Sequence, residues 1–233
     1  MTIRRITLLL AAVASTLIGI GAQGPAVAAG EPIQPGVEIV TGDAGCTLNF
    51  IYDGTGDLAG KVYGGTAAHC VSAVGQSSQL GTGETFGTVA LVGDENSTVA
   101  DYAFIEILPA LHSRVNPAMK GHPSYPRGVT TAAETTIGDV VQLSGYGLGF
   151  GLTKPTQEQR VGVVSADDHE MHMVVAPLIF GDSGGPLVHV PTGKAWGIVS
   201  RLCLGVCEEE GPTVAGLLAK AAARGFTVQL RTV

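Results

Sequence analysis

The chain has 233 residues, of which 45% are hydrophobic and 14% are charged, and its formal net charge at pH 7 is −7. This length suits one large domain built from β-strands, or two small barrels that share an interface. The negative charge favours solubility and argues against a nucleic-acid partner, because nucleic-acid binding depends on clustered basic residues.

The start of the chain has the features of an export signal. Two early arginines precede a mostly apolar run at residues 6–20, and Ala26-Val27-Ala28 is typical of a cleavage site. The apolar run is shorter than the ~20 residues of a membrane-spanning helix, so we expect cleavage after export. The sequence therefore predicts a secretory signal peptide at residues 1–29 and a secreted, extracellular domain at residues 30–233. Both the Sec route and the twin-arginine route stay open for this signal.

Short apolar or β-branched runs, separated by turn signals, predict an all-β domain. The 34 glycines are about twice the average usage and mark many of the turns. In chain order, strands are predicted at Val37–Val40, Thr47–Tyr52, Lys61–Tyr63, Thr88–Val92, Tyr102–Ile107, Val140–Ser144, Val161–Ser165, His172–Ala176, Pro186–Val190 and Ala195–Ser200. A segment rich in alanine and leucine, Val214–Arg224, predicts a helix, and a last strand follows at Phe226–Leu230. Many short strands at even spacing are typical of a sandwich or of barrels.

Three segments supply the residue types of an activated serine. His69 lies in the segment TAAHC, Asp101 opens the apolar run DYAFI, and Ser183 lies in the segment GDSGGP. A serine hydroxyl is a weak nucleophile at neutral pH and needs an adjacent base, a role that suits histidine. A buried carboxylate then holds the other ring nitrogen. We expect the backbone N–H groups of Gly181 and Ser183 to stabilise an oxyanion, since glycine permits the tight turn that this requires.

Each of these residues also has a simpler interpretation. A serine between glycines usually marks a turn, and Asp101 alone would also fit the cap of a strand. Asp94 is the nearest alternative carboxylate, but it lies in a polar loop. The other histidines lack a matching context and are expected at the surface or in loops: His112, His122, His169, His172 and His189.

The three segments resemble the trypsin/chymotrypsin-like serine proteases, in particular their secreted bacterial branch. The resemblance extends to Trp196–Ser200 and to the ending, in which GFTV follows the predicted helix. It implies two six-stranded antiparallel β-barrels, a short C-terminal helix, and a site in the cleft between the barrels. It also implies a triad of His69, Asp101 and Ser183, with an oxyanion hole formed at Gly181 and Ser183.

The resemblance assigns two supporting residues as well. Ser200 matches a family serine that hydrogen-bonds the triad aspartate. Asp182 matches an aspartate that pairs with a cation and sets the oxyanion turn. The usual partners of that aspartate are absent from this sequence, and Arg160 and Arg201 are the candidates that remain.

The four cysteines belong to a chain that we expect to be exported, where disulfides are the default. Three pairings are possible, and the resemblance implies Cys46–Cys70 together with Cys203–Cys207. We expect no metal site, because no histidine or further cysteine lies close in sequence to Cys203 and Cys207.

The substrate pocket implied by the resemblance departs from that of trypsin. We expect it at Pro177, Leu178, Arg201 and Leu202. Trypsin-like members carry an aspartate six residues before the nucleophile, where this chain has Pro177, so cleavage after Lys or Arg is not expected. Arg201 would favour acidic groups, and Leu202 would narrow the mouth of the pocket.

The leading hypothesis is a secreted serine endopeptidase that acts on proteins or peptides through an acyl-enzyme intermediate, without a metal or organic cofactor. The alternative is a non-catalytic homologue that binds a partner through the same cleft. The altered pocket residues Arg201 and Leu202 favour that alternative. A third hypothesis is an esterase, because the same chemistry cleaves small acyl groups. We expect no nucleic-acid partner and no membrane association after signal cleavage. A monomer is the default expectation.

Overall fold

Two antiparallel sheets and a short α-helix form the described part of the chain. The computed structural model describes residues 30–147, 158–201 and 205–233, with the backbone alone for residues 205–207. The predicted signal peptide at residues 1–29 lies outside these ranges. Residues Glu31–Val233 form one compact unit. No helix among the described residues has the length and apolar composition needed to cross a membrane.

The first sheet contains eight strands. In chain order these are β1 (Glu38–Thr41), β2 (Ala44–Thr47), β3 (Ile51–Gly54), β4 (Val62–Thr66), β5 (Ser77–Leu80), β6 (Thr85–Val92), β7 (Ala103–Ile107) and β14 (Val228–Leu230). Their spatial order is β14-β3-β4-β7-β6-β5-β1-β2. The central pair, β4 and β7, is antiparallel, and both strands are almost fully buried. Their ends therefore give fixed positions to the residues that follow β4 and precede β7.

The second sheet contains six strands. In chain order these are β8 (Val140–Leu143), β9 (Arg160–Asp167), β10 (Met171–Leu178), β11 (Pro186–His189), β12 (Lys194–Ile198) and β13 (Gly205–Pro212). Their spatial order is β12-β11-β8-β9-β10-β13. The helix α1 (Val214–Ala223) follows β13 and begins at Thr213, whose hydroxyl accepts a hydrogen bond from Gly216 N. It ends before Gly225, which has a φ of 77° and suits a C-terminal cap.

One apolar cluster joins both sheets and α1. Tyr52 and Phe104 of the first sheet pack edge to face, with ring centroids 5.1 Å apart. Val188 and Ile198 of the second sheet and Leu217 of α1 belong to the same buried cluster. Aromatic side chains bury large apolar areas, so this cluster stabilises the boundary between the sheets. The loops at that boundary are consequently held at a fixed spacing.

The predicted all-β fold with a C-terminal helix is confirmed, but the strand numbers are eight and six. One extra strand in the first sheet is β14, which pairs with β3. The predicted strand Thr47–Tyr52 is also divided between β2 and β3. Asn49 N and Phe50 O both bond to Gly65, but Phe50 N donates to Asn49 Oδ1 instead of to a neighbouring strand, so the regular strand pairing is interrupted there.

Two strands are missing from the sequence prediction, β5 and β13. In β5, two serines weaken the apolar alternation, although Ser78 and Leu80 are buried. In β13, glycines, a proline and three glutamates oppose strand formation by composition. Its backbone nevertheless pairs with β10 over eight residues, from Pro212 to Gly205. Tertiary pairing therefore overrides the weak local preference.

Candidate active site

His69 and Asp101 form a hydrogen-bonded pair at the ends of two adjacent strands. His69 lies in a 3-10 turn, Ala68–Cys70, shortly after β4, and Asp101 lies two residues before β7. The distance from His69 Nδ1 to Asp101 Oδ2 is 2.8 Å, and His69 N donates to Asp101 Oδ1 at 3.0 Å. The carboxylate thus contacts both the ring and the main chain of His69, which fixes the orientation of the imidazole.

Asp101 is only 1% exposed, and Ser200 supplies a further hydrogen bond. Ser200 follows β12, and its Oγ donates to Asp101 Oδ2. Burial by itself raises the pKa of Asp101, but hydrogen bonds from His69 and Ser200 and the proximity of the imidazole outweigh that effect. The pKa of Asp101 therefore lies below its ordinary value, and the carboxylate is ionised at neutral pH.

The loop that carries Ser183 is attached to the first sheet through Thr47. Thr47 N donates to Ser183 O at 2.8 Å, and Thr47 Oγ1 donates to Gly181 O at 2.7 Å. Gly184 has a φ of 81°, and a Cβ there would lie 2.2 Å from Thr66 Oγ1. Only glycine permits this close approach. The serine loop therefore packs directly against the strand that leads to His69.

Ser183 and His69 are open to solvent, whereas the carboxylate behind them is buried. The His69 side chain is 34% exposed, and Ser183 is partly exposed. Within the described ranges, no hydrogen bond joins Ser183 Oγ to His69 Nε2. Such bonds in enzymes without substrate are often long and tighten only in the substrate complex.

Two backbone N–H groups of the serine loop make no hydrogen bond within the described residues, those of Gly181 and Ser183. By contrast, the N–H groups of Asp182, Gly184 and Gly185 all donate to backbone carbonyl groups. Gly181 has a φ of 97°, a backbone conformation that favours glycine. The loop therefore offers a pair of donors in the two positions at which the sequence predicts an oxyanion hole.

Asp182, beside the serine, is held in a buried ion pair with Arg160 of β9. The guanidinium contacts both carboxylate oxygens, with Nη2 2.6 Å from Oδ1. The N–H groups of Gly147 and Ile179 also donate to this carboxylate, at 2.9 and 3.0 Å. Of the two candidates from the sequence, Arg160 is thus the partner of Asp182. The ion pair and the two N–H donors together offset the cost of burying the charge.

The site thus contains a histidine, an aspartate and a serine from three separate segments, with two backbone N–H donors beside the serine. The sequence model of the family described as Trypsin matches residues 33–222. The chain belongs to the trypsin family. It is accordingly a serine endopeptidase of the chymotrypsin-like fold, as the resemblance in the sequence predicts. No curated protein is similar enough to this chain to match it.

Solved bacterial proteases share the fold. Protease A of Thermobifida fusca is 22% identical with a TM-score of 0.60, and the Nocardiopsis protease is 21% identical with a TM-score of 0.61. A chymotrypsin of Cellulomonas bogoriensis is 20% identical with a TM-score of 0.59. In each comparison, the match covers 86% of this chain and 99% of the other.

The residues predicted for the substrate pocket of this trypsin-family chain are only partly brought together. The Pro177 side chain is exposed, but Leu178 is 1% exposed and packs in the core of the second sheet. Arg201 is exposed, and its Nη2 donates to Asn96 O at 2.6 Å, so it links the end of the second sheet to a loop of the first. Leu202 lies outside the described residues.

A groove of about 440 Å³ opens beside His69. It is lined by Ala68, His69, Val71, Ser72, Val92, Gly93, Asp94 and Glu95. Two of these are acidic side chains from the loop that precedes β7. This loop also contains Asn96, the residue that Arg201 contacts. The groove therefore borders the site at His69 and has an acidic wall.

Cys46 and Cys70 form a disulfide across 24 positions of sequence. The bond ties the His69 turn to β2. In the chain-entropy account, closing this loop raises the free energy of unfolding by about 3 to 4 kcal/mol. The sulfur atoms lie within 4.8 Å of a His69 ring nitrogen, but a disulfide sulfur is not a thiolate and does not act as a metal ligand there. The predicted pair Cys203–Cys207 falls on side chains outside the described residues.

The expectation that the remaining histidines lie at the surface or in loops is wrong for His172 and His189. Both are 0% exposed. His172 Nε2 lies 3.1 Å from Glu209 Oε2, and His189 Nε2 lies 2.9 Å from Asp139 Oδ2. Each carboxylate comes from a distant strand or turn, so no local pattern in the sequence predicts either pair.

Thr47 is a site residue that the sequence analysis missed. Besides its two bonds to the serine loop, its Oγ1 accepts a hydrogen bond from Tyr146 N at 3.0 Å. No motif marks this threonine. The available signal is its position next to Cys46, whose disulfide partner Cys70 follows His69.

Proposed function

We propose that this member of the trypsin family is a secreted endopeptidase that hydrolyses peptide bonds with a triad of His69, Asp101 and Ser183. The observation that carries the proposal is the row of contacts from Ser200 through Asp101 to His69. Beside it lies a loop with the serine hydroxyl and two N–H donors that have no partner in the part of the chain that the structure describes. These are the groups that an acyl-transfer reaction requires.

In acylation, Ser183 Oγ attacks the carbonyl carbon of the scissile bond while His69 Nε2 takes the hydroxyl proton. The carbonyl oxygen becomes an oxyanion that accepts hydrogen bonds from Gly181 N and Ser183 N. The intermediate then collapses, the C–N bond breaks, and His69 gives its proton to the leaving amine. Asp101 stays ionised throughout and stabilises the imidazolium.

In deacylation, a water molecule attacks the acyl carbon, and His69 accepts a proton from it. The second tetrahedral intermediate uses the same two N–H donors. Its collapse breaks the ester bond, returns the proton to Ser183 Oγ and releases the carboxylate product. Every step uses side chains and backbone of this chain, together with water.

The proposed substrate preference follows from the residues near the site. Pro177 offers no negative charge, so a preference for Lys or Arg at the cleaved position is not expected. Arg201 follows Ser200 and carries five N–H donors, of which one is used on Asn96. We therefore expect Arg201 to favour substrates with an acidic group near the scissile bond, whereas Asp94 and Glu95 disfavour acidic groups in the groove beside His69.

Secretion is part of the proposal. Residues 1–29 have the charge and hydropathy pattern of a signal peptide, and the Cys46–Cys70 disulfide suits an oxidising compartment. N-terminal sequencing of the protein recovered from the culture medium should find a start near residue 30. A start at residue 1, or a protein that stays inside the cell, would contradict this part.

The catalytic proposal is tested by turnover of a quenched-fluorescence peptide library and of a simple ester by the mature protein. Ser183→Ala and His69→Ala should abolish the turnover of peptides, and Asp101→Asn should lower kcat by roughly 10⁴-fold. Ser77→Ala, an exposed serine of β5, is the matched control and should keep full activity.

The alternatives give different outcomes in the same assay. Turnover of the ester but of no peptide would favour an esterase. A folded protein that turns over neither substrate would favour a non-catalytic homologue. Peptide turnover that survives in Ser183→Ala would refute the proposed triad.

A further inference from the structure

We infer that a second buried pair, His172 and Glu209, positions the triad from inside the second sheet. The inference rests on the proposed function, because it concerns the same triad. Neither residue touches the reacting atoms. Both act through Ser200, the residue that donates to Asp101.

The pair is joined to the triad by consecutive hydrogen bonds. Glu209 Oε1 accepts a hydrogen bond from Ser200 N at 2.6 Å, and Glu209 Oε2 lies 3.1 Å from His172 Nε2. Ser200 Oγ donates to Asp101 Oδ2, which also contacts His69 Nδ1. A row of contacts therefore runs from His172 to the proposed general base.

Burial makes these contacts obligatory. The side chains of His172 and Glu209 are 0% and 1% exposed, so neither is solvated. A buried carboxylate is costly unless its oxygens accept hydrogen bonds, and those found here come from Ser200 N and His172 Nε2. Loss of the imidazole would leave Oε2 without its donor, and Glu209 would then be expected to reorient away from Ser200.

The imidazole has little freedom to move. Its ring packs on Trp196 with the centroids 4.7 Å apart. A Cβ at Gly197 would lie 2.4 Å from His172 Nδ1, and one at Gly211 would lie 2.9 Å from Cε1. Two glycines thus leave the space that the ring fills. His172 Nδ1 has no partner within the described residues, so Glu209 is the polar contact that orients the ring.

Loss of the contact between His172 and Glu209 would change the position of the Ser200 backbone. Ser200 N is held by Glu209, and Arg201 N is held by Glu210 O at 3.0 Å. These two bonds set where Ser200 Oγ points. Without the first bond, the hydroxyl is less well aimed at Asp101, and the His69 ring loses part of its orientation. The step that needs the ring is proton transfer, so kcat should fall while KM changes little.

The same sheet provides a matched control. His189 is also buried, and it pairs with Asp139 at 2.9 Å. The other ring nitrogen of His189 contacts Thr192 Oγ1, and no contact leads from this pair to Ser200 or Asp101 within the described residues. Replacing either histidine removes a buried imidazole from one carboxylate, but only His172 is connected to the triad.

The test compares His172→Phe, His172→Gln, Glu209→Met and the control His189→Phe in the mature protein. Glu209→Met removes both acceptor oxygens, so we expect kcat to fall roughly tenfold or more in this variant and in His172→Phe, with KM within about twofold of wild type. His172→Gln retains an N–H donor for Glu209 and should recover most of the rate. His189→Phe should lower the melting temperature without lowering kcat.

A spectroscopic readout separates positioning from stability. The proton on His69 Nδ1 that faces Asp101 is expected as a downfield ¹H NMR resonance, absent from His69→Ala. It should shift or broaden in His172→Phe and stay unchanged in His189→Phe. If His172→Phe does not fold, Glu209→Met, which has a similar size and no acceptor oxygen, supplies the same comparison. If wild type lacks activity, the proposed function fails, while this resonance still tests the positioning.

The inference is overturned if His172→Phe and Glu209→Met keep the wild-type kcat and the wild-type resonance. It is also overturned if His172→Gln is as impaired as His172→Phe, because the donor to Glu209 would then be irrelevant.

Discussion

The Arg160 guanidinium and the Asp182 carboxylate form a bidentate ion pair in which both side chains are buried. Asp182 precedes Ser183 directly, so the pair sets the loop that carries the hydroxyl and the two N–H donors. The cation comes from β9 of the second sheet. The proposed oxyanion turn is therefore supported by a residue within the folded domain.

Arg160→Ala should be strongly destabilising, because it leaves a buried carboxylate without its cation. Loss of one partner of a buried pair typically costs about 3 to 5 kcal/mol. Urea denaturation measures the effect, and fluorescence-detected peptide turnover should show a large loss of kcat. The control is Arg231→Ala, which breaks the partly exposed pair with Asp53 and should cost less than about 1 kcal/mol. Similar costs for the two variants would contradict the role given to Arg160.

Thr47 should influence the rate through its hydroxyl. Thr47→Val keeps the shape of the side chain but removes the donor to Gly181 O and the acceptor for Tyr146 N. Leaving such buried groups unsatisfied costs about 1 to 3 kcal/mol, and we expect kcat to fall about tenfold as the loop shifts. Thr47→Ser keeps both bonds and should be close to wild type in steady-state kinetics. Equal rates for the two variants would show that the hydroxyl does not position the loop.

The residues proposed for the triad could be named from the sequence because each lies in a short, distinctive segment. The all-β class, the helix at Val214–Ala223 and most strands could be predicted too, since their apolar alternation or composition is local. These features depend on neighbours within a few residues. They need no knowledge of which strands pair.

The remaining features depend on contacts between distant segments. β13 is held by pairing with β10 against its own composition. Glu209 and His172 are 37 residues apart and meet only because of that pairing. Thr47 contacts a carbonyl 134 residues away. Arg160 was one of two candidate partners for Asp182, and only the register of β9 decides between them.

Asp101 should give a characteristic pH dependence of stability. Its folded-state pKa is lower than its unfolded value of about 3.9, so the ionised carboxylate stabilises the fold above that pH. This contribution is lost as the pH falls through the folded-state pKa. Urea denaturation of wild type and Asp101→Asn from pH 2 to 7 should therefore give a stability difference that is constant near neutrality and shrinks below about pH 4. A difference that grows on acidification would contradict the lowered pKa.

Arg201 should affect the choice of substrate more than the chemistry. Arg201→Ala should lower kcat/KM for peptides with an acidic residue near the scissile bond and leave neutral peptides nearly unchanged. Turnover of paired acidic and neutral peptides measures this. Equal changes for both peptides would remove Arg201 from the proposed specificity. Efficient cleavage after Lys or Arg would separately contradict the inference drawn from Pro177.

The central claim is that Ser183 is an activated nucleophile. The most direct measurement is labelling of the mature, folded protein with a fluorophosphonate probe, followed by mass spectrometry of the modified peptide. The account predicts one adduct per chain, on Ser183, that is absent from Ser183→Ala and strongly reduced in His69→Ala. A folded wild-type protein that takes up no probe, or takes it up on another residue, would contradict the account.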